Sequence, residues 1–210
     1  MASSVIHMCV AHEVNKKINR NNDLLLIGSI APDIAKHLGK TKTESHFLTS
    51  SAEIPNLDLF LSKYAKNLTD DFVLGYYIHL FTDYIWVKYF LPSFVSENNL
   101  YLLNGDNVHV TPEELIKFIY NDYTNLNILL IKHYNLNLKA FEKPVPKLKN
   151  IIKEIPMNQI QLIVDKSNNI IHKSMEEKNY VFNIDNINVF VDYCTNSLIS
   201  NLIDIGYIKK

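Results

Sequence analysis

Gly75-Tyr76-Tyr77-Ile78-His79-Leu80-Phe81-Thr82-Asp83-Tyr84-Ile85-Trp86 is apolar on nearly every side of a helix, which places that helix in the interior. Two residues break the pattern. His79 and Asp83 stand four apart, so their side chains share one helix face. A buried carboxylate without a partner is costly enough to force pairing or neutralisation. Two answers stay open at this point. One is a hydrogen bond between imidazole and carboxylate. The other is a metal ion, for which this spacing makes a two-ligand clamp.

Working outward, Asp70 or Asp71 starts this helix and Pro92 stops it, so the spacing predicts a helix to about Leu91. Upstream, Leu57, Phe60, Leu61 and Tyr64 mark a helix after Pro55. Residues 39–52 are rich in Thr, Ser, Lys and Gly and read as a loop. The apolar run Leu24 to Ala35 contains Pro32, which disfavours one unbroken helix. The first helix follows Ser3 or Ser4, a good cap, and carries Val5, Ile6, Cys9, Val10, Val14 and Ile18 near 3.6-residue spacing. Asn21-Asn22 ends it.

Downstream, Ser96 to Val110 reads as a loop, with turn chemistry at Asn98-Asn99 and Asn104-Gly105-Asp106-Asn107. Thr111-Pro112-Glu113-Glu114 is a helix start with a Thr cap and Pro at the first position. That helix runs to about Tyr134. Pro144 and Pro146 bound a short linker, and two further helices are expected over roughly 157–178 and 185–205.

The expected fold is therefore all-α: a multi-helix bundle in one domain over residues 1–210, a length that supports a full apolar core. Hydrophobic residues make up 47%, which excludes a disordered chain. Five Gly and seven Pro are too few for the many tight turns of a β-sandwich or barrel. The net charge of −1, with Arg20 the only arginine, argues against a broad nucleic-acid footprint. Cys9 and Cys194 have no CxxC spacing and read as small buried hydrophobes rather than a disulfide or zinc site. The N-terminus has no basic region and no long apolar run, and the longest charge-poor stretch, Phe72 to Val87, contains His79 and Asp83. No transmembrane segment and a cytoplasmic location are expected.

Three more residues occupy places that are odd for a plain core. His7 falls in the middle of an apolar helix face. Asp33 follows an apolar run at a proline-fixed bend. His46 lies in a polar loop. With His79 and Asp83 they form a nitrogen-and-oxygen donor set that suits zinc and its neighbours.

The order His7, Gly28-Ser29-Ile30-Ala31-Pro32-Asp33, Ser45-His46-Phe47 and Gly75-x3-His79-x3-Asp83 resembles the zinc-dependent phospholipase C and single-strand nuclease superfamily over about the first 90 residues. The resemblance implies a helical bundle with a metal site in an interhelical cleft. It implies a first metal on Asp33, His46, His79 and Asp83, with Asp83 bridging to a second that also takes His7. It also implies hydrolysis of a small phosphodiester or phospholipid by metal-activated water, with Asp33 orienting or deprotonating that water.

The chain departs from the family at the third metal. Tyr89 stands where the family has a His, although His109-x3-Glu113 and His172-x3-Glu176 keep the spacing of the second element. The family also uses a mature amino terminus, whereas here six residues precede His7. One or two zinc ions are therefore expected rather than three. The rival to a hydrolase is a non-catalytic metal-binding or structural helical protein that keeps the scaffold. A phosphohydrolase built on adjacent His-Asp ligands is disfavoured because the chain has no His-Asp dipeptide.

Overall fold

The computed structural model of the chain describes residues 1–49, 54–174 and 177–209. It is mostly α, as the helical periodicities require. Helix α1 (Ser4–Ile18) starts where the Ser3 side chain accepts the Ile6 N–H and ends at Asn19, in the left-handed region at φ 53°. Helix α2 (Asn22–Ile30) is capped by Asn21. Pro32 then turns the apolar run into a 3₁₀ turn, Ala31–Asp33, ahead of the short α3 (Ile34–His37). Helix α4 (Leu57–Tyr64) is capped by Asn56. Helix α5 (Asp71–Ile85) starts where the Asp70 carboxylate accepts the Phe72 and Val73 N–H groups. Helix α6 (Pro112–His133) carries a full capping box between Thr111 and Glu114. Helices α7 (Ile160–Lys173) and α8 (Ile184–Asp204) complete the chain.

Three expectations need correcting. The long apolar helix does not run as α to Leu91. It widens into a π turn at Trp86–Phe90 and a 3₁₀ turn at Leu91–Ser93, where Pro92 can supply no N–H. The stretch read as a loop holds a small antiparallel sheet, β1 (Val95–Ser96), β2 (Asn99–Tyr101) and β3 (Asn107–His109). Leu100 faces Val95 on one side and Val108 on the other, and is fully buried. Strands of two or three residues are too short to show an alternation, and only the turns between them were legible. The seventh helix is shorter than 157–178: Met157–Gln159 is a 3₁₀ turn, and α7 itself closes at Lys173.

The fold's central contact is the crossing of α2 on α5. Gly28 and Gly75 meet there, and a Cβ built on Gly28 would stand 3.0 Å from the Gly75 Cα and 2.3 Å from the Phe72 carbonyl oxygen. A Cβ on Gly75 would reach the Leu25 carbonyl oxygen at the same 2.3 Å. No other residue type lets the two backbones approach so closely. Helices α1 and α8 pack on the same unit. Beyond α5, an aromatic cluster of Trp86, Phe90, Phe94, Tyr123, Phe182 and Phe190 ties α6 and α8 to the end of the site helix. Among the described residues, no helix is long and apolar enough to cross a membrane.

Candidate metal centre

The α2–α5 crossing sets the first ligand. With α2 held against α5, the Ser29 carbonyl lies 2.7 Å from His79 Nδ1. A carbonyl only accepts, so Nδ1 carries the ring proton and Nε2 presents a lone pair. One turn further along α5, Asp83 Oδ2 lies 3.3 Å from that Nε2.

Each remaining ligand arrives from a separate element. Helix α1 brings His7, whose ring stacks on His79 at 3.7 Å between centroids and whose Nε2 lies 3.4 Å from Asp83 Oδ1. The turn after α3 brings His46, with Nε2 at 3.1 Å from His79 Nε2, 3.5 Å from Asp33 Oδ1 and 3.7 Å from Asp83 Oδ2. That turn is fixed from both sides. Tyr76 of α5 donates its hydroxyl to the Ser45 carbonyl, and Phe47 packs edge-on against Phe60, Tyr64 and Tyr76. Ser45 Oγ meets His46 Nδ1 at 2.9 Å. The proline-bent turn after α2 brings Asp33.

All five residues singled out in the sequence therefore meet in one place. Two sets of donor atoms lie within 4.8 Å of one another and could hold a metal ion: His7, His79 and Asp83, and Asp33, His46 and His79. Asp83 reaches both sets, with one oxygen toward His7 and the other toward His79 and His46. His7, His46, His79 and Asp83 are fully buried, and the Asp33 side chain keeps 15% exposure.

The donors suit a cation. Both ring nitrogens of His7 and Asp83 Oδ2 are buried without a hydrogen-bond partner. Buried polar atoms are rarely left in that state. The lone pair on His79 Nε2 faces a second imidazole nitrogen, which calls for a proton or a cation between them. The electrostatics agree. Burial, and then the neighbouring His79, lowers the His7 pKa to about 4, and burial is also the main cause that lowers His46. Both rings are thus neutral donors at pH 7, the form that binds metal. Burial acts to raise the two carboxyls. It is outweighed at Asp33 by the His46 hydrogen bond and Lys42, and at Asp83 by His7 and His79, so both are held well below the usual carboxylate range.

Other residues complete the surroundings, and their roles were not legible from residue type. Asp83 Oδ1 accepts the Ala2 backbone N–H at 2.8 Å. Lys42 Nζ stands 2.6 Å from Asp33 Oδ1 and 3.1 Å from Met1 Sδ. Tyr123 donates its hydroxyl to the Met1 carbonyl at 2.6 Å. Lys42 had one available signal, its position four residues before His46.

The other histidines lie elsewhere. His12 is half-buried, with burial lowering its pKa, and His37, His133 and His172 are exposed. Tyr89, His109 and Glu113 are all exposed, and Glu176 lies outside the described residues. Asp122 of α6 is committed away from the cluster. Its carboxylate accepts the N–H groups of Tyr180, Val181 and Phe182 at 2.6–3.0 Å. No family model, curated protein or solved structure matches this chain.

Proposed function

We propose that this chain is a zinc-dependent phosphodiester hydrolase of the phospholipase C-like kind. The observation that carries this reading is the convergence of three imidazoles and two carboxylates on one buried point, with both nitrogens of His7 and Asp83 Oδ2 unpartnered. His46, His79, Asp33 and Asp83 would hold one ion, and His7 with Asp83 a second. The ligand types, neutral nitrogen and carboxylate oxygen without thiolate, favour zinc over the harder magnesium or calcium. Zinc held there supplies Lewis acidity toward a phosphoryl oxygen and a bound water acidic enough to ionise near neutral pH.

The protein's own groups divide the remaining work. Asp33 is the ligand at the solvent-facing side of the site, so it is placed to accept a hydrogen bond from an incoming water. Its low pKa keeps it ionised at neutral pH and makes it a weak base, which favours orienting the water over deprotonating it. Ser29 and Ser45 hold two imidazoles in position, the supporting contacts that metal sites depend on.

The non-catalytic reading has an observation in its favour as well. Met1, beside the cluster, is tied to Lys42 and Tyr123, and four of the five ligands have no exposure. The two readings separate on one experiment. Purified protein dialysed against zinc is assayed for metal by mass spectrometry and for hydrolysis of bis(p-nitrophenyl) phosphate. The hydrolase reading expects one or two bound zinc ions and zinc-dependent turnover. Bound zinc with no turnover supports the non-catalytic metal-binding alternative, and absence of both zinc and turnover removes the hydrolase reading and leaves a structural helical protein.

A further inference from the structure

Lys42 is placed on the rigid turn that carries His46. The His46 N–H donates to the Lys42 carbonyl at 2.8 Å, a one-turn spacing that sets both side chains toward the same side. The ammonium reaches the solvent-facing edge of the cluster, with 28% of its side chain exposed, and sits on Asp33 Oδ1. Its second neighbour, the Met1 thioether, is a weak acceptor and easily given up.

This placement works against the metal. A cation shared by Asp33 and His46 and an ammonium 2.6 Å from the same carboxylate oxygen repel one another. A partly exposed ion pair adds little to stability in return. Lys36, three residues after Asp33, is engaged elsewhere. Its Nζ lies 3.2 Å from the Tyr120 hydroxyl and 5.1 Å from the centre of that ring. A loaded site would thus compete with Lys42 for Asp33, and the partly exposed ammonium stands where an arriving anion could meet it.

We infer that Lys42 is a substrate-binding residue: it leaves Asp33 when metal is held and receives a non-bridging oxygen of the substrate's phosphoryl group. The ligand class is a phosphoryl anion approaching between Asp33, Lys42 and the half-exposed Tyr120 ring. The inference rests on the metal-centre reading above.

The test uses inorganic phosphate as the probe, with calorimetry on zinc-loaded parent, Lys42→Met and Lys42→Arg, and zinc content measured on each. Expected are equal zinc content in all three and zinc affinity in Lys42→Met equal to or tighter than the parent's. Phosphate binding in Lys42→Met should be weaker by at least about tenfold, with Lys42→Arg within about threefold of the parent. With bis(p-nitrophenyl) phosphate, KM should rise in Lys42→Met more than kcat falls. Phosphate affinity in Lys42→Met within twofold of the parent overturns the role of Lys42 while the metal centre stands. So does a Lys42→Arg protein as weak as Lys42→Met, or a zinc-loaded parent that ignores phosphate. A parent that takes up no zinc overturns the metal-centre reading, and this role falls with it.

Discussion

Asp83 and Asp122 are the same residue type, and both are fully buried. They differ in what satisfies them. Asp122 is met by three successive backbone N–H groups and by the Asn121 side-chain amide. Neutral dipoles already surround its charge, and its work is to clasp the segment before α8 onto α6. Asn121 and Asn125 reinforce this by donating to the Lys178 carbonyl. Asp83 has one backbone N–H on one oxygen and none on the other, and three imidazoles face it. Burial alone therefore says nothing about function. The informative quantity is how much of a buried group's bonding capacity the protein leaves unused.

The comparison is most sharply tested at Asp83 itself. Asp83→Asn should lower zinc affinity by more than about 100-fold, since the residue touches both donor sets. The metal-free variant should stay within about 2 kcal/mol of the parent in urea denaturation, because the asparagine side-chain oxygen still accepts the Ala2 N–H. A large loss of metal-free stability would show that Asp83 is a clasp of the Asp122 kind.

Asp122→Ala should do the converse. It strands three backbone donors in the interior and should cost about 3–5 kcal/mol, read by the same denaturation. Zinc content of the folded fraction should match the parent's.

Gly75→Ala should fall between them, costing about 1–3 kcal/mol and weakening zinc binding as well, because the methyl group drives α2 and Ser29 away from His79. Stability loss with unchanged zinc affinity would uncouple the crossing from the site.

Acid should separate the two regions with the smallest effect. His7 has a folded pKa near 4, below its unfolded value of 6.5. Between these values the unfolded chain binds more protons than the folded one, so stability rises with pH. His46 is lowered too and acts in the same direction. Metal-free protein should therefore lose Tm as pH falls from about 6.5 to about 4, and a His7→Phe variant should lose less over that window. An equal slope in both would place the acid sensitivity elsewhere.

Much of the architecture was legible because it rests on local signals. Caps at Ser3, Asp70 and Thr111, the bend at Pro32 and the apolar periodicities each declare an element without its neighbours. The site residues were legible as exceptions to those patterns, a histidine or aspartate where the face should be apolar. What stayed hidden depends on backbone or on distance along the chain. The Ser29 carbonyl, the Ala2 N–H and the Met1 carbonyl have no residue type to reveal them. The clasp on Asp122 spans 58–60 residues, and nothing in Asp122-Tyr123 distinguishes it from a cleft residue. The strands β1 to β3 were hidden for a different reason, being shorter than the period that would announce them.

The meeting of Gly28 and Gly75 also bears on protein engineering. Ordinary helix pairs lie about 8–10 Å apart, and a host scaffold with that separation would hold Ser29 away from His79 and leave the imidazole free to rotate. Anyone transplanting these five side chains would need to move residues 25–33 and 72–83 together as one crossed piece. Copying the donors alone onto a foreign bundle would reproduce the inventory and lose the aim.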